Sequence, residues 1–316
     1  MVIANPIFDI VFKRMMENES VAKFFIGTLL GQTIESIEVK PQEYTYQGEF
    51  EQNDPKAIEI IEERIRKRYN IWVYRLDFIA TIKTETGEFR KVLIEIQKAK
   101  NLIDLMRFRN YLAEQYKRED VVNGEKMVLP ITTIYILGFN LPEIESACIK
   151  VERNYKDLIN NKTINQKSEF VEKLTHDSFI VQVDRITDNY STSLDKLLSI
   201  FEQQHFIDDK KIIKTFSHEL DNEDLKLATD ILHFAGTNPE ERQKIENEQE
   251  AIRTINAIMD NNQREFVKKI KEKDKALDEK DRALDEKDRA LDEKDKALDE
   301  KDKLIAELLK QMNEKK

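Results

Sequence analysis

The chain has 316 residues, of which 40% are hydrophobic and 36% are charged, and its formal net charge is −10 at pH 7. This length is sufficient for at least one hydrophobic core, and the high charged fraction predicts that part of the chain is solvated helix. One cysteine, Cys148, excludes an internal disulfide framework. No secretory leader and no apolar run near about 18 residues is recognised, so we expect a cytoplasmic protein without a membrane span.

The charge is concentrated in the C-terminal half. Residues 1–140 hold 20 Lys and Arg against 21 Asp and Glu, and residues 141–316 hold the remaining 32 against 41. The acidic half argues against tight nucleic-acid binding by that half. The four histidines have no zinc-binding spacing, and the seven glycines form no phosphate-binding loop, which disfavours a zinc enzyme or a nucleotide hydrolase.

The first predicted helix lies near the N-terminus. Asn5 as the N-cap and Pro6 at the first helical position would begin it, and Gly31 would end it. Residues 33–46 alternate in hydrophobicity, which predicts an extended segment. For residues 56–70 the pattern admits either a short charged helix or the edge of a β-ribbon.

A hairpin, a helix and a strand are predicted next. Gly87 lies between two apolar runs and signals a hairpin turn. The following helix would place Leu105, Phe108 and Leu112 on one side. The predicted bounds are about 71–83 and 89–98 for the hairpin strands, 104–116 for the helix and 129–137 for the last strand. This order predicts an α/β domain over residues 1–140, with a mixed sheet flanked by helices.

The rest of the chain is predicted to be mostly helical. Residues 141–238 are mixed at first, with one alternating strand pattern at 179–186, and every segment from Ser193 onward has helical spacing. These residues form the second predicted region. From Pro239 to the C-terminus no helix breaker occurs, so residues 239–316 are predicted to form one long helix.

A seven-residue repeat, KDKALDE, fills much of that helix from Lys273 onward. A period of seven is typical of a coiled coil, but each repeat provides only an adjacent Ala-Leu pair, whereas a coiled-coil seam needs apolar residues three and four apart. Asp278 and Arg282 are spaced as a stabilising ion pair and recur in each repeat. We therefore expect a long charged helix with weak self-association, through which the chain forms a homo-oligomer.

The predicted hairpin carries the polar residues of greatest interest. Glu95 and Gln97 interrupt an apolar run, and because residues two apart share one face of a strand, they point the same way. Pairing Asp77 with Glu95 centres the hairpin on its predicted turn. Two acids at one level repel each other and lose hydration unless a cation lies between them, and Mg²⁺ prefers such oxygen ligands. The alternative is that Asp77 pairs with Arg75 or Arg90.

Four segments together resemble the PD-(D/E)XK nuclease superfamily, in particular its Rpn branch of recombination-promoting nucleases and transposases. The segments are DIVFK (9–13), RLDF (75–78), LIEIQKA (93–99) and MRFRNYL (106–112). The resemblance extends over about residues 5–140. It implies a restriction-endonuclease-like fold and Mg²⁺- or Mn²⁺-dependent hydrolysis of a DNA phosphodiester, in recombination, transposition or defence against foreign DNA.

The resemblance also implies roles for individual residues. Asp77 and Glu95 would bind the metal, and Gln97 occupies the position of the usual catalytic lysine, which orients or deprotonates the attacking water. An amide can neither act as a base nor carry charge, so activation of the water would depend more heavily on the metal. Lys98 is adjacent but should point to the opposite face of the strand.

Two further pairs are candidate site residues. Asp9 and Lys13, four apart on the first helix, are either a surface ion pair or accessory groups near the metal or phosphate. Arg107 and Tyr111 share a helix face and are predicted to contact the DNA backbone, with solvated helix positions as the alternative. Beside a nuclease, two hypotheses stay open: a catalytically silent DNA-binding module, suggested by Gln97, and a coiled-coil interaction protein.

Overall fold

The computed structural model describes residues 1–39, 78–98, 102–207 and 210–254, together with residue 257 and single positions 280, 287, 294 and 301 in the repeats. Asp77, the segment 56–70 and most of the predicted long helix therefore lie outside the described residues. The chain divides into two compact units, Met1–Ile252 and Arg253–Lys316.

The described secondary structure of the first unit is mixed. The strands are β1 (Val2–Ala4), β2 (Ile34–Val39), β3 (Phe78–Thr84), β4 (Phe89–Gln97), β5 (Asp120–Val122), β6 (Glu125–Met127), β7 (Ile131–Leu137), β8 (Cys148–Val151), β9 (Tyr155–Asp157), β10 (Lys162–Ile164), β11 (His176–Gln182) and β12 (Ile213–Thr215). The helices are α1 (Asp9–Met16), α2 (Glu19–Leu30), α3 (Leu102–Lys117), α4 (Glu169–Leu174), α5 (Ser193–Ser199), α6 (Glu223–Thr237) and α7 over residues 239–254.

A six-stranded mixed sheet forms the centre of the unit, in the order β2-β3-β4-β7-β11-β8. Strands β3 and β4 form the predicted antiparallel hairpin, and Gly87 in its turn has a φ of +84°, which favours glycine. Strand β4 pairs in parallel with β7, and β7 pairs in parallel with β11. Residues 92–96 of β4 are all buried, as expected for a central strand covered on both faces.

Alternate residues of β4 face two separate hydrophobic clusters. Val92, Ile94 and Ile96 belong to the larger cluster, which also contains residues of α1, α2, α5 and α6. Leu93 belongs to the smaller cluster, together with residues of α3. Helix α3 therefore covers one face of the sheet, and α1, α2, α5 and α6 pack on the opposite face. The predicted architecture of a mixed sheet flanked by helices is confirmed.

The N-terminal helix is two helices rather than one. Asn18 accepts a hydrogen bond from the backbone N–H of Val21 and so caps a new helix, which interrupts the predicted continuous span. The predicted stop at Gly31 is confirmed, since this residue has a φ of +66° and ends α2. Asn5 does not cap α1, which begins at Asp9, but donates a side-chain hydrogen bond to Gln203.

The region after residue 140 completes the same sheet. Strands β8 and β11 come from residues 141–238, so the boundary drawn there from the sequence does not separate two hydrophobic cores. The prediction of helix throughout from Ser193 is wrong at β12, which pairs with β1. Pairing between Ala4 and Ile213 joins distant parts of the chain, and the local sequence pattern carries no sign of it.

Among the described residues, no helix has the length and apolar character that spanning a membrane requires. The four described lysines of the repeats, Lys280, Lys287, Lys294 and Lys301, are helical and exposed, as predicted for a charged helix.

Candidate active site at the central hairpin

Glu95 lies near the C-terminal end of β4, on the face that α3 covers. Its side chain is only 2% exposed, and the alternation of β4 places it with Leu93 and away from the larger core. Gln97 follows on the same face and is partly buried, and its backbone carbonyl accepts a 2.9 Å hydrogen bond from the Gly138 N–H. The predicted pair of a buried acid and an amide on one face is therefore present.

Tyr135 on β7 is the residue directly beside Glu95 in the parallel ladder. Its ring packs against Phe108 of α3, with 4.5 Å between the ring centroids. Burial raises the pKa of the Tyr135 phenol, and the negative charge of Glu95 raises it further. The phenol therefore stays protonated at neutral pH, which keeps a hydrogen-bond donor beside the carboxylate. Tyr135 lies within an apolar strand pattern, and nothing in the sequence distinguished it.

The hairpin has the register that the sequence predicted. Phe78 pairs with Ile94, and Lys83 at the other end of the ladder pairs with Phe89. Asp77, the predicted partner of Glu95, is outside the described residues, so its role remains a prediction.

The residue types present are suited to a hard divalent cation. The carboxylate of Glu95 and the side-chain carbonyl of Gln97 are oxygen donors of the kind that Mg²⁺ accepts. Within the described ranges, no three His, Cys, Asp or Glu side chains are grouped so that they could hold a metal ion. The predicted ligand pair needs Asp77, which those ranges do not include.

A second cluster of polar side chains, formed by Lys98 and Glu248, lies on the opposite face of the sheet from Glu95, at the N-terminus of α1. The Lys98 ammonium forms an ion pair with Glu248 of α7 and lies 5.1 Å from the centre of the Phe8 ring. The Glu248 carboxylate also accepts hydrogen bonds from the N–H groups of Asp9, at 2.9 Å, and Ile10, at 3.1 Å. Lys98 thus points away from Glu95, in the direction predicted for it.

Glu248 acts as a side-chain cap for α1, although it is distant in sequence. The orphan N–H groups and the positive end of the helix dipole at an N-terminus both favour a carboxylate. Sequence reasoning missed Glu248 because it lies in a segment rich in acids, where no spacing sets one apart. Its contacts connect α7 to the strand that carries Glu95.

Replacement of Glu248 by Gln is expected to lower the free energy of unfolding by about 1–2 kcal/mol, because the charge-assisted contacts to α1 and Lys98 are lost. Urea unfolding followed by circular dichroism measures this change. Glu246→Gln on the same helix is the matched control, since Glu246 has no ion pair within the described ranges, and it should leave stability unchanged. Equal stability of the two variants would contradict the capping role.

Asp9 and Lys13 form the ion pair that the helical spacing predicted, with 2.8 Å between Nζ and Oδ2. Helix α1 packs on the face of the sheet opposite Glu95, so the structure brings Asp9 beside Glu248. The second carboxylate oxygen of Asp9, Oδ1, is buried and accepts no hydrogen bond from any described residue.

The prediction that Tyr111 contacts DNA is wrong. Tyr111 is only 5% exposed and packs against Ile79 and Leu93 in the smaller hydrophobic cluster. Arg109 on this part of α3 is exposed. The side chain of Arg107 lies outside the described part of the structure, so its predicted DNA contact is not tested.

Comparisons of the chain with known family models, with curated proteins and with solved structures gave no match.

Proposed function

We propose that the chain is a metal-dependent DNA endonuclease that hydrolyses phosphodiester bonds, with a restriction-endonuclease-like fold. The observation that carries this proposal is the buried Glu95, with Gln97 on the same face, in the second strand of a hairpin at the middle of a mixed sheet. A buried acid beside an amide is costly in a purely structural strand, and functional sites are where such groups are concentrated. The resemblance to the Rpn branch of PD-(D/E)XK nucleases supports the same assignment.

In the proposed site, Asp77 and Glu95 hold Mg²⁺ or Mn²⁺. When bound there, the cation would supply Lewis-acid stabilisation of the negative charge that develops on the phosphate. Gln97 would orient the attacking water through its amide. It cannot take the proton from that water, and the proton would pass to bulk water. The Tyr135 phenol, on the residue beside Glu95 in the ladder, stays protonated because burial and the charge of Glu95 raise its pKa. The long C-terminal helix is proposed to join copies of the chain, and DNA recombination, transposition or defence is the proposed context.

The experiment that tests the function is a plasmid-nicking assay with purified full-length chain. We expect relaxed and linear DNA in Mg²⁺ or Mn²⁺ and intact supercoiled DNA in EDTA. DNA binding without cleavage in either metal would instead favour the catalytically silent DNA-binding module.

Gln97 provides a graded test of the same site. Gln97→Ala is expected to lower the cleavage rate about tenfold, the effect of losing one orienting hydrogen bond, and therefore less than removal of either acid. Gln97→Lys restores the residue common in the superfamily and should retain or raise the rate. A Gln97→Lys protein that binds Mg²⁺ normally and cleaves nothing would show that the site is misplaced.

A further inference from the structure

A protruding β-hairpin departs from the acidic character of the chain. Residues 153–168, here called the wing hairpin, contain β9, β10 and the turn between them. They hold four basic residues, Arg153, Lys156, Lys162 and Lys167, against one acid, Asp157, whereas the whole chain carries a net charge of −10. Four asparagines and one glutamine lie in the same 16 residues. This composition is typical of a surface that contacts a nucleic-acid backbone.

The tip of the wing hairpin presents two aliphatic side chains to solvent. Leu158 is 86% exposed and Ile159 is 93% exposed, and no other large hydrophobic residue in the described ranges is as exposed as either. Isolated apolar residues on a surface need no explanation, but two adjacent and almost fully exposed ones at a hairpin tip are suited to an interaction surface.

The turn that carries these side chains is held in one conformation. The Asp157 carboxylate accepts hydrogen bonds from the backbone N–H groups of Ile159, at 2.9 Å, and Asn160, at 3.2 Å, and from the Asn160 side chain. The tip is therefore preorganised, so little conformational entropy is lost when it binds a partner.

The base of the wing hairpin is fixed to the sheet by Arg153. Its guanidinium pairs with Glu172 at 2.7 Å and with Asp177, at the start of β11, at 3.0 Å. The Tyr155 hydroxyl donates a 2.6 Å hydrogen bond to the same Glu172. Arg153 is thereby used internally, and Lys167 donates to the Arg153 carbonyl. Lys156, Lys162 and Lys167 are exposed. Lys167 lies 3.9 Å from Glu172, whereas Lys156 and Lys162 pair with no acid in the part of the chain that the structure describes.

We propose that the wing hairpin binds double-stranded DNA, with Lys156 and Lys162 on phosphates and the Leu158-Ile159 tip against the bases or sugars of a groove. This proposal rests on DNA as the substrate of the proposed function. Charge selects this occupant, because a polyanion complements Lys156 and Lys162, which outnumber the one acid of the hairpin, Asp157, whereas two copies meeting at their tips would bring these lysines together. Exposed aliphatic tips can wedge between base steps once the lysines hold the backbone.

The topology places these contacts away from the cleaved bond. Strand β8 leads into the wing hairpin and lies three strand positions from β4, which corresponds to roughly 14 Å across the sheet. The chain also leaves β8 at Val151, which lies level with Leu93 rather than with Glu95, so at 3.4 Å for each base pair the separation is at least about four base pairs. The wing hairpin would therefore contact DNA that flanks the scissile phosphate, and its loss should weaken binding more than the chemical step.

The test is the fluorescence anisotropy of a labelled duplex of about 30 base pairs, long enough to pass both surfaces, titrated with full-length chain in Ca²⁺ at several salt concentrations. The double variant Lys156→Gln/Lys162→Gln should reduce the slope of log affinity against log salt by about two, one for each lost phosphate contact. The double variant Leu158→Ser/Ile159→Ser should weaken affinity about tenfold with an unchanged slope, because it removes no charge. Lys226→Gln and Leu227→Ser, exposed positions on α6, are the matched controls and should match wild type.

Cleavage is measured together with binding, so that the nuclease proposal and the wing-hairpin proposal can fail separately. Wing variants that bind with wild-type affinity and slope, while Glu95→Ala stops cleavage, would overturn the wing hairpin and leave the nuclease standing. Wing variants that lose binding, in a protein that never cleaves, would support the wing hairpin and overturn the nuclease. A wild-type chain without affinity for DNA would overturn both. Altered sedimentation of the tip variant with unchanged DNA affinity would assign the tip to contact between copies.

Discussion

Glu95→Ala is expected to reduce divalent-dependent DNA cleavage by about 10³-fold or more, because the loss of a metal ligand removes Lewis-acid stabilisation worth several kcal/mol. Asp77→Ala should have the same effect if the two acids share one cation. The near-isosteric Glu95→Gln keeps the volume of the side chain and removes only its charge, and it should be as inactive. Initial rates of plasmid nicking in Mg²⁺ and Mn²⁺ measure all three variants.

The loss of activity should occur without a loss of stability. If Asp77 and Glu95 share one site as proposed, the removal of either acid relieves repulsion in EDTA, so the thermal midpoint should stay unchanged or rise. Glu88→Ala is the control on the same hairpin, since Glu88 is exposed and pairs with Arg90, two residues along the chain. It should retain wild-type cleavage. A Glu95→Ala protein that nicks plasmid at the wild-type rate would remove this carboxylate from the mechanism.

Lys91→Met is expected to lower the free energy of unfolding by about 3 kcal/mol. Lys91 lies on the same face of β4 as Glu95, and its ammonium pairs with Asp120 of β5 at 2.9 Å, with the two side chains 2% and 5% exposed. It also donates to the Gln115 carbonyl at the end of α3. Replacing Lys91 removes a counter-charge from the buried Asp120 carboxylate, which is the costly case for a buried pair.

Two comparisons make the Lys91 prediction specific. The double variant Lys91→Met/Asp120→Leu should recover most of the lost stability, because an apolar pair can replace a buried ion pair at little cost. Lys83→Met breaks the exposed Lys83–Glu35 pair, which connects β3 of the same hairpin to β2, and should cost less than about 1 kcal/mol. Guanidinium unfolding of the variants gives the three values. If Lys91→Met is no less stable than Lys83→Met, the buried Lys91–Asp120 pair contributes no more to the free energy of unfolding than the exposed pair does.

The hairpin could be predicted from the sequence because its signals are local. Gly87 marks the turn, and two buried apolar strands on either side leave one register that buries them both. Strand β12 could not be predicted, since its partner β1 is about two hundred residues away and its own pattern also fits a helix. The split between α1 and α2 was missed because the apolar spacing continues across the cap at Asn18.

For the candidate site, the sequence predicted which residues share a face and failed to predict which face of α3 is buried. The apolar side was expected to contain Leu105, Phe108 and Leu112, but Leu105 is exposed, and the buried stripe runs through Phe108, Tyr111 and Gln115. Two residues of that stripe, Tyr111 and Gln115, carry polar groups. A prediction from hydrophobicity alone therefore places the buried face of α3 about one residue away from its position in the structure. The burial of Glu95 was predicted correctly because it follows from strand alternation within a central strand.

The claim that Glu95 and Asp77 hold a divalent cation is tested most directly by Mn²⁺ binding, followed by the electron paramagnetic resonance signal of the free ion. We expect wild-type chain to remove Mn²⁺ from solution at a saturable site, Glu95→Gln and Asp77→Asn each to lose that site, and the exposed-site control Glu88→Gln to keep it. Saturable binding that persists in Glu95→Gln with the wild-type affinity would contradict the account.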